Sequence, residues 1–71
     1  MTRDEHLAWC KTRALEILAG GDRNGAFASM ISDLGKHREL VDSARMLAPL
    51  GMFEVVHGSE LGLRRWIEGF N

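Results

Sequence analysis

Four side chains in this sequence carry metal-ligating or acid–base chemistry at helical spacing: His6 with Cys10, and Asp33 with His37. Members of each pair are four residues apart, which puts both on one face of a helix, a spacing that zinc sites use. Two features count against a zinc site. Gly35 is expected to end its helix before His37, which removes the geometry of the second pair. Cys10 stands among Leu7, Ala14 and Ile17, where a buried thiol serves as a small hydrophobe. No CxxC or HxxxH pair supports them. The expectation is no metal and no cofactor.

Nucleophilic chemistry has less support. Ser29, Ser32 and Ser43 fall in helical segments, with no strand–turn–helix elbow to strain and expose a hydroxyl. Gly20-Gly21-Asp22 lacks the Lys-Ser/Thr partner of a phosphate loop, and Asp22 would repel a phosphate. Asp4 and Glu5 are adjacent and point in different directions. The chain is expected not to be an enzyme.

Binding chemistry is better represented. At about 100° per residue, Leu7, Cys10, Ala14, Ile17 and Leu18 share one face of the first helix. Trp9 projects nearly opposite, among Glu5, Arg13 and Glu16. Tryptophan is enriched at binding hot spots, so Trp9 and Arg13 are candidate protein-interaction residues. The alternative is that the third or fourth helix wraps over that side and buries the ring. Arg64 and Arg65 offer a similar choice: they grip an acidic partner, or form a solvated face with Arg64 paired to Glu68.

The elements that must position these residues are read as four helices. Thr2 with Glu5 three residues later forms a capping box that starts the first, and Gly20 and Gly21 end it. Asp22 caps the second, which stops near Gly35, and Gly25 in its first turn is a mild defect. Phe27, Met30, Ile31 and Leu34 share one face of that helix, expected to pack on Leu7, Ala14 and Leu18. These two helices form an αα-hairpin. Leu40, Val41, Ala44, Leu47, Ala48, Met52, Val55 and Val56 keep a helical rhythm from Arg38 to Val56, and Pro49 falls inside it. We read one helix kinked near Pro49; the alternative is a break at Ala48 with an extended piece at Phe53–Val56. Gly58 ends this segment, Ser59 caps the fourth helix, and Leu63, Trp66, Ile67 and Phe70 form its apolar stripe. The expected fold is all-α, a single helical domain over residues 1–71.

Size and charge limit the function classes. A 71-residue chain buries only about 60% of the surface its unfolded form exposes, so self-association to cover leftover apolar area is a reasonable expectation. Nine basic and ten acidic side chains give a formal net charge of -1, and the signs are mixed along the chain. Nucleic-acid binding draws on clustered Lys and Arg, so a partner of that class is disfavoured. One cysteine, an N-terminus with Arg3, Asp4 and Glu5, and no apolar run near the ~20 residues of a membrane span point to an intracellular, soluble protein. No small-molecule substrate is evident.

Two resemblances follow. Gly21-Asp22, Ala26-Phe27, Met30 and Leu34 resemble the turn and second helix of a single tetratricopeptide unit, which implies hairpin packing only. The segments Glu5-His6-Leu7-Ala8-Trp9-Cys10-Lys11, Ser29-Met30-Ile31-Ser32-Asp33-Leu34 and Arg64-Arg65-Trp66-Ile67-Glu68-Gly69-Phe70-Asn71 resemble small uncharacterised proteins encoded by tailed bacteriophages. Arg38, where such proteins often carry proline, and the stretch Phe53–Ser59 depart from that pattern. The resemblance implies an accessory gene product acting in a bacterial host's cytoplasm. The expected function is a non-enzymatic binding module, docking on a host or phage protein or on itself. A small helix-turn-helix regulator is the alternative.

Overall fold

The structure, a computed structural model describing residues 1–71, has four helices and no strand: α1 Arg3–Ala19, α2 Arg23–Leu34, α3 Val41–Val56 and α4 Glu60–Glu68. The protein is a small all-α bundle. α1 starts where a capping box would start it: Thr2 Oγ1 accepts the Glu5 N–H at 3.1 Å, and the Glu5 carboxylate accepts the Thr2 N–H at 2.9 Å. Gly21, at φ 90°, is the one residue in the left-handed region and turns the chain into α2. Asp22 caps α2 by accepting the Gly25 N–H at 2.8 Å. A Cβ on residue 25 would lie 2.2 Å from that carboxylate. At Gly25 the capping carboxylate occupies the space a side chain would take.

One core of 12 buried residues draws on every helix, from Leu7, Cys10, Ala14 and Leu18 of α1 to Leu63 and Ile67 of α4. α2 differs from expectation. Its fully enclosed face is Ala26, Met30, Asp33 and Leu34, whereas Phe27 and Ile31 are half-buried beside it. The buried stripe is turned by roughly 60° at 100° per residue. The cause is an aspartate inside the fold, with Phe27 and Ile31 freed to meet α3 and α4. Phe27 lies 5.4 Å from Trp66, centroid to centroid.

α3 also differs at its start. Residues 38–40 form a turn, not helix, with the Leu40 and Val41 N–H groups both donating to the His37 carbonyl. That turn drives Leu40 fully into the core. From Val41 the helix runs through Pro49 to Val56 as one element, so the extended alternative at Phe53–Val56 is not formed. Ser59 caps α4 through the Gly62 N–H at 3.0 Å. Helix α2 touches all three others and α4 does the same, while α1 and α3 have no shared contact. α3 thus meets the bundle on one side only.

Candidate functional site

Three regions contain the candidate residues. The first is built around Asp33, whose placement in the last turn of α2 leaves it only 2% exposed. Its carboxylate accepts from Arg13 Nε at 2.8 Å, Lys36 Nζ at 3.2 Å and Ser29 Oγ at 3.4 Å. Burial alone would raise the Asp33 pKa, but the hydrogen bonds and charges of Lys36 and Arg13 outweigh it and hold the carboxyl below its ordinary value. Arg13 also stacks over the Trp9 ring at 4.7 Å, and Lys36 approaches the same ring at 5.7 Å. His6 completes the cluster. Its Nε2 is 2.7 Å from the Asp33 carbonyl oxygen, and its ring sits 5.4 Å from Trp9 and 5.3 Å from His37.

Trp9 is accordingly half-buried, flanked by His6 and Arg13 of its own helix and by Lys36 from the turn after α2. His6, Asp33 and His37 do meet, but as a stacked, hydrogen-bonded group. His37 accepts the Glu39 N–H at Nδ1, and Asp33 is saturated by cations. No three His, Cys, Asp or Glu side chains are placed to hold a metal ion together. Cys10 is buried, and desolvation, reinforced by the Asp33 charge, pushes its thiol up to about 11. A thiol held neutral in that way is a core side chain without nucleophilic character near neutral pH.

The second region lies across α1. Arg64 pairs with Glu68 at 3.7 Å, both largely exposed, and Arg65 is exposed with no ion pair. Arg64 borders a shallow hollow lined by Leu15, Leu18, Ala19 and Glu60. On the α1 wheel Leu15 and Leu18 are well over 100° from Trp9 and Arg13. The four candidate interaction residues therefore form two groups on opposite flanks of α1, not one surface.

Basic side chains are largely engaged within the chain. Arg3 donates to the Asn71 carbonyl and Lys11 to the carbonyls of Glu68 and Phe70. Arg23 donates to the Gly58 carbonyl at 2.8 Å. With Arg13, Lys36 and Arg64 already described, only Arg38, Arg45 and Arg65 lack an internal partner.

The third region was not among the candidate residues. α3 is the most apolar helix, yet the residues it buries are Ala44 and Gly51. Leu47 and Val55 are partly buried against the core, but Met46 is 78% exposed, Leu50 60%, Phe53 58% and Val56 61%. Met46, Leu50 and Phe53 stand at i, i+4 and i+7, so they form one stripe. The inner side is held by α4. Trp66 donates its indole N–H to the Leu47 carbonyl at 2.9 Å. A Cβ on Gly51 would lie 2.6 Å from the Trp66 ring and 2.7 Å from Phe27. The glycine lets α3 approach until those rings fill the space a side chain would take. The signal was present in the sequence, since residues 41–56 are apolar on both faces. A helix of that kind is ordinarily enclosed on all sides.

No protein-family model matches this chain, and neither does any curated protein or solved structure. Function must be argued from the geometry. No helix is long and apolar enough to cross a membrane.

Proposed function

We propose that this chain is a non-enzymatic protein-binding module whose docking surface is the outer face of α3. One observation carries the reading: the most apolar helix buries two small residues and presents Met46, Leu50, Phe53 and Val56 to solvent. Contiguous apolar stripes of this kind on small proteins mark interaction sites. On the resemblance of its segments to phage-encoded proteins, we read the module as an accessory product acting in a host's cytoplasm, with a host protein, a phage protein or a further copy of itself as the partner. Arg13 is bonded to Asp33 and Trp9 lies under Arg13 and Lys36, so both contribute less than an open aromatic would. Arg64 and Arg65 supply a separate charged flank.

The helix-turn-helix alternative needs a basic recognition helix, and six of the nine basic side chains are engaged within the chain. A gel-shift series at low salt that shows binding would revive it. The main reading is tested by crosslinking the tagged chain in host lysate, alongside Phe53→Asp and Trp9→Ala. The stripe predicts products that Phe53→Asp loses and Trp9→Ala keeps. The reverse pattern would move the docking surface to α1 and refute the assignment.

A further inference from the structure

We infer that His37 is an acid-released latch on the α2–α3 turn: its neutral ring holds the turn closed, and a proton taken up at Nδ1 opens it. This one residue closes the turn with two of its groups. Its carbonyl accepts the N–H groups of Leu40 at 2.9 Å and Val41 at 3.1 Å. Its ring accepts the Glu39 N–H at Nδ1, at 3.1 Å, and no backbone carbonyl takes that N–H. An imidazole nitrogen accepts only through its lone pair, so this bond requires a neutral ring with its proton on Nε2. A proton on Nδ1 turns the acceptor into a donor, and two N–H groups then face each other. The turn is also what drives Leu40 fully into the core, so opening it loosens the start of α3.

The charges around the ring give the protonated form no ion pair in exchange. On α1 the ring meets His6 at 5.3 Å, centroid to centroid, and beyond it Arg13 over Trp9. α2 contributes Asp33, whose carboxylate is already taken by Arg13 and Lys36. The turn itself carries Lys36, Arg38 and Glu39, and Asp42 stands in the first turn of α3. Both of those last carboxylates are exposed. His6 behaves differently. Its Nε2 lies 2.7 Å from the Asp33 carbonyl oxygen, an acceptor, so Nε2 donates. A proton added at His6 Nδ1 leaves that bond in place. Of the two stacked histidines, only His37 must be neutral for its hydrogen bond to exist.

The test is NMR of the full 15N-labelled chain at about pH 7.5 and pH 5.5, the range over which histidine ordinarily takes up a proton. The latch requires His37 to carry its proton on Nε2 at the higher pH. At the lower pH the protection of the Leu40 and Val41 amides against exchange should fall roughly threefold or more, the worth of one hydrogen bond, while that of Met30 in α2 holds. His37→Asn separates the latch from a merely structural turn, because an asparagine oxygen accepts the same N–H two residues on and does not titrate. That variant should keep the protection at both pH values, and His6→Gln should keep the response of the wild type. A proton on Nδ1 at the higher pH, equal protection at both, an equal fall at Met30, a response that survives His37→Asn, or one lost in His6→Gln would each overturn the latch. Circular dichroism matching the wild type establishes that each variant is folded.

Discussion

Replacing Gly51 with alanine tests the packing that turns α3 outward. In an exposed helix interior Gly→Ala stabilises by roughly 0.5–1 kcal/mol, because alanine loses less backbone freedom on folding. Here the new Cβ would lie 2.6 Å from Trp66 Cε2 and Cζ2 and 2.7 Å from Phe27 Cε1. Carbon atoms separated by less than about 3.5 Å repel, so something must move. The rings have little freedom: Trp66 is tied to the Leu47 carbonyl at 2.9 Å, and its centroid is 5.0 Å from Phe70. Overpacking of this kind costs typically 1–3 kcal/mol. A Trp66 that tilts away also forfeits a hydrogen bond worth about 1 kcal/mol. The net expectation is a loss of about 1–3 kcal/mol, or a fall in Tm of roughly 4–8 °C per kcal/mol for a domain this small. Urea melts followed by circular dichroism and tryptophan fluorescence measure it. Gly20→Ala is the control, since its nearest neighbour is an ordinary 3.4 Å contact with the Ile17 carbonyl, and it should be neutral or stabilising. A Gly51→Ala variant as stable as the wild type would refute the close approach of α3 to Trp66.

Further outcomes follow from the Asp33 cluster and its neighbours. Asp33→Asn removes the charge from bonds to Arg13 and Lys36, so it should cost about 1–3 kcal/mol at pH 7, discounted because both cations are half-exposed. The folded carboxyl of Asp33 titrates below its unfolded value of 3.8, so its contribution is present above that pH and fades as pH falls through the folded value. Acid melts of the wild type should therefore steepen below about pH 4, and Asp33→Asn should flatten that limb. Trp9→Ala removes a half-buried ring stacked by Arg13 and should cost about 2 kcal/mol; a loss too small to measure would show the ring to be free. Cys10, with its thiol pushed up to about 11, should react with a disulfide reagent at pH 8 only on unfolding, and a fast reaction of the folded chain would contradict its burial. A thiol pKa raised in the folded state also means stability that holds below about pH 9 and declines toward pH 11.

Local signals in the sequence were legible and the long-range ones were not. The caps at Thr2, Asp22 and Ser59 depend on side chains reaching three residues along the chain, and all three form. The rhythm across Pro49 was sufficient to expect one helix because the apolar positions continue in register beyond it. α3 begins three residues later than the apolar rhythm predicts, since the turn at 37–40 is set by the His37 carbonyl and by the demand to bury Leu40. Asp33 illustrates the larger difficulty. Its position at i+3 from Met30 and i+7 from Ala26 puts it on the buried face, but an aspartate is enclosed only when cations from elsewhere reach it. Arg13, 20 residues away, supplies one. A helical wheel drawn for α1 alone likewise gives Trp9 an open side, because Lys36 arrives from the turn after α2.

The same reasoning explains why α3 was the least readable helix and the most informative. Its inner face is built from Ala44, Gly51 and half-buried aliphatics, so the neighbouring rings of Phe27 and Trp66 supply the bulk there. A helix whose job was only to complete the monomer would place Met46, Leu50 and Phe53 inward, where each would stabilise by roughly 1.5–3 kcal/mol on burial. The arrangement instead leaves those groups largely in water, where they contribute less to folding and favour association. A chain this short has little stability to spare. Under the proposed docking role, Met46, Leu50 and Phe53 on the outside of α3 are the groups a partner covers.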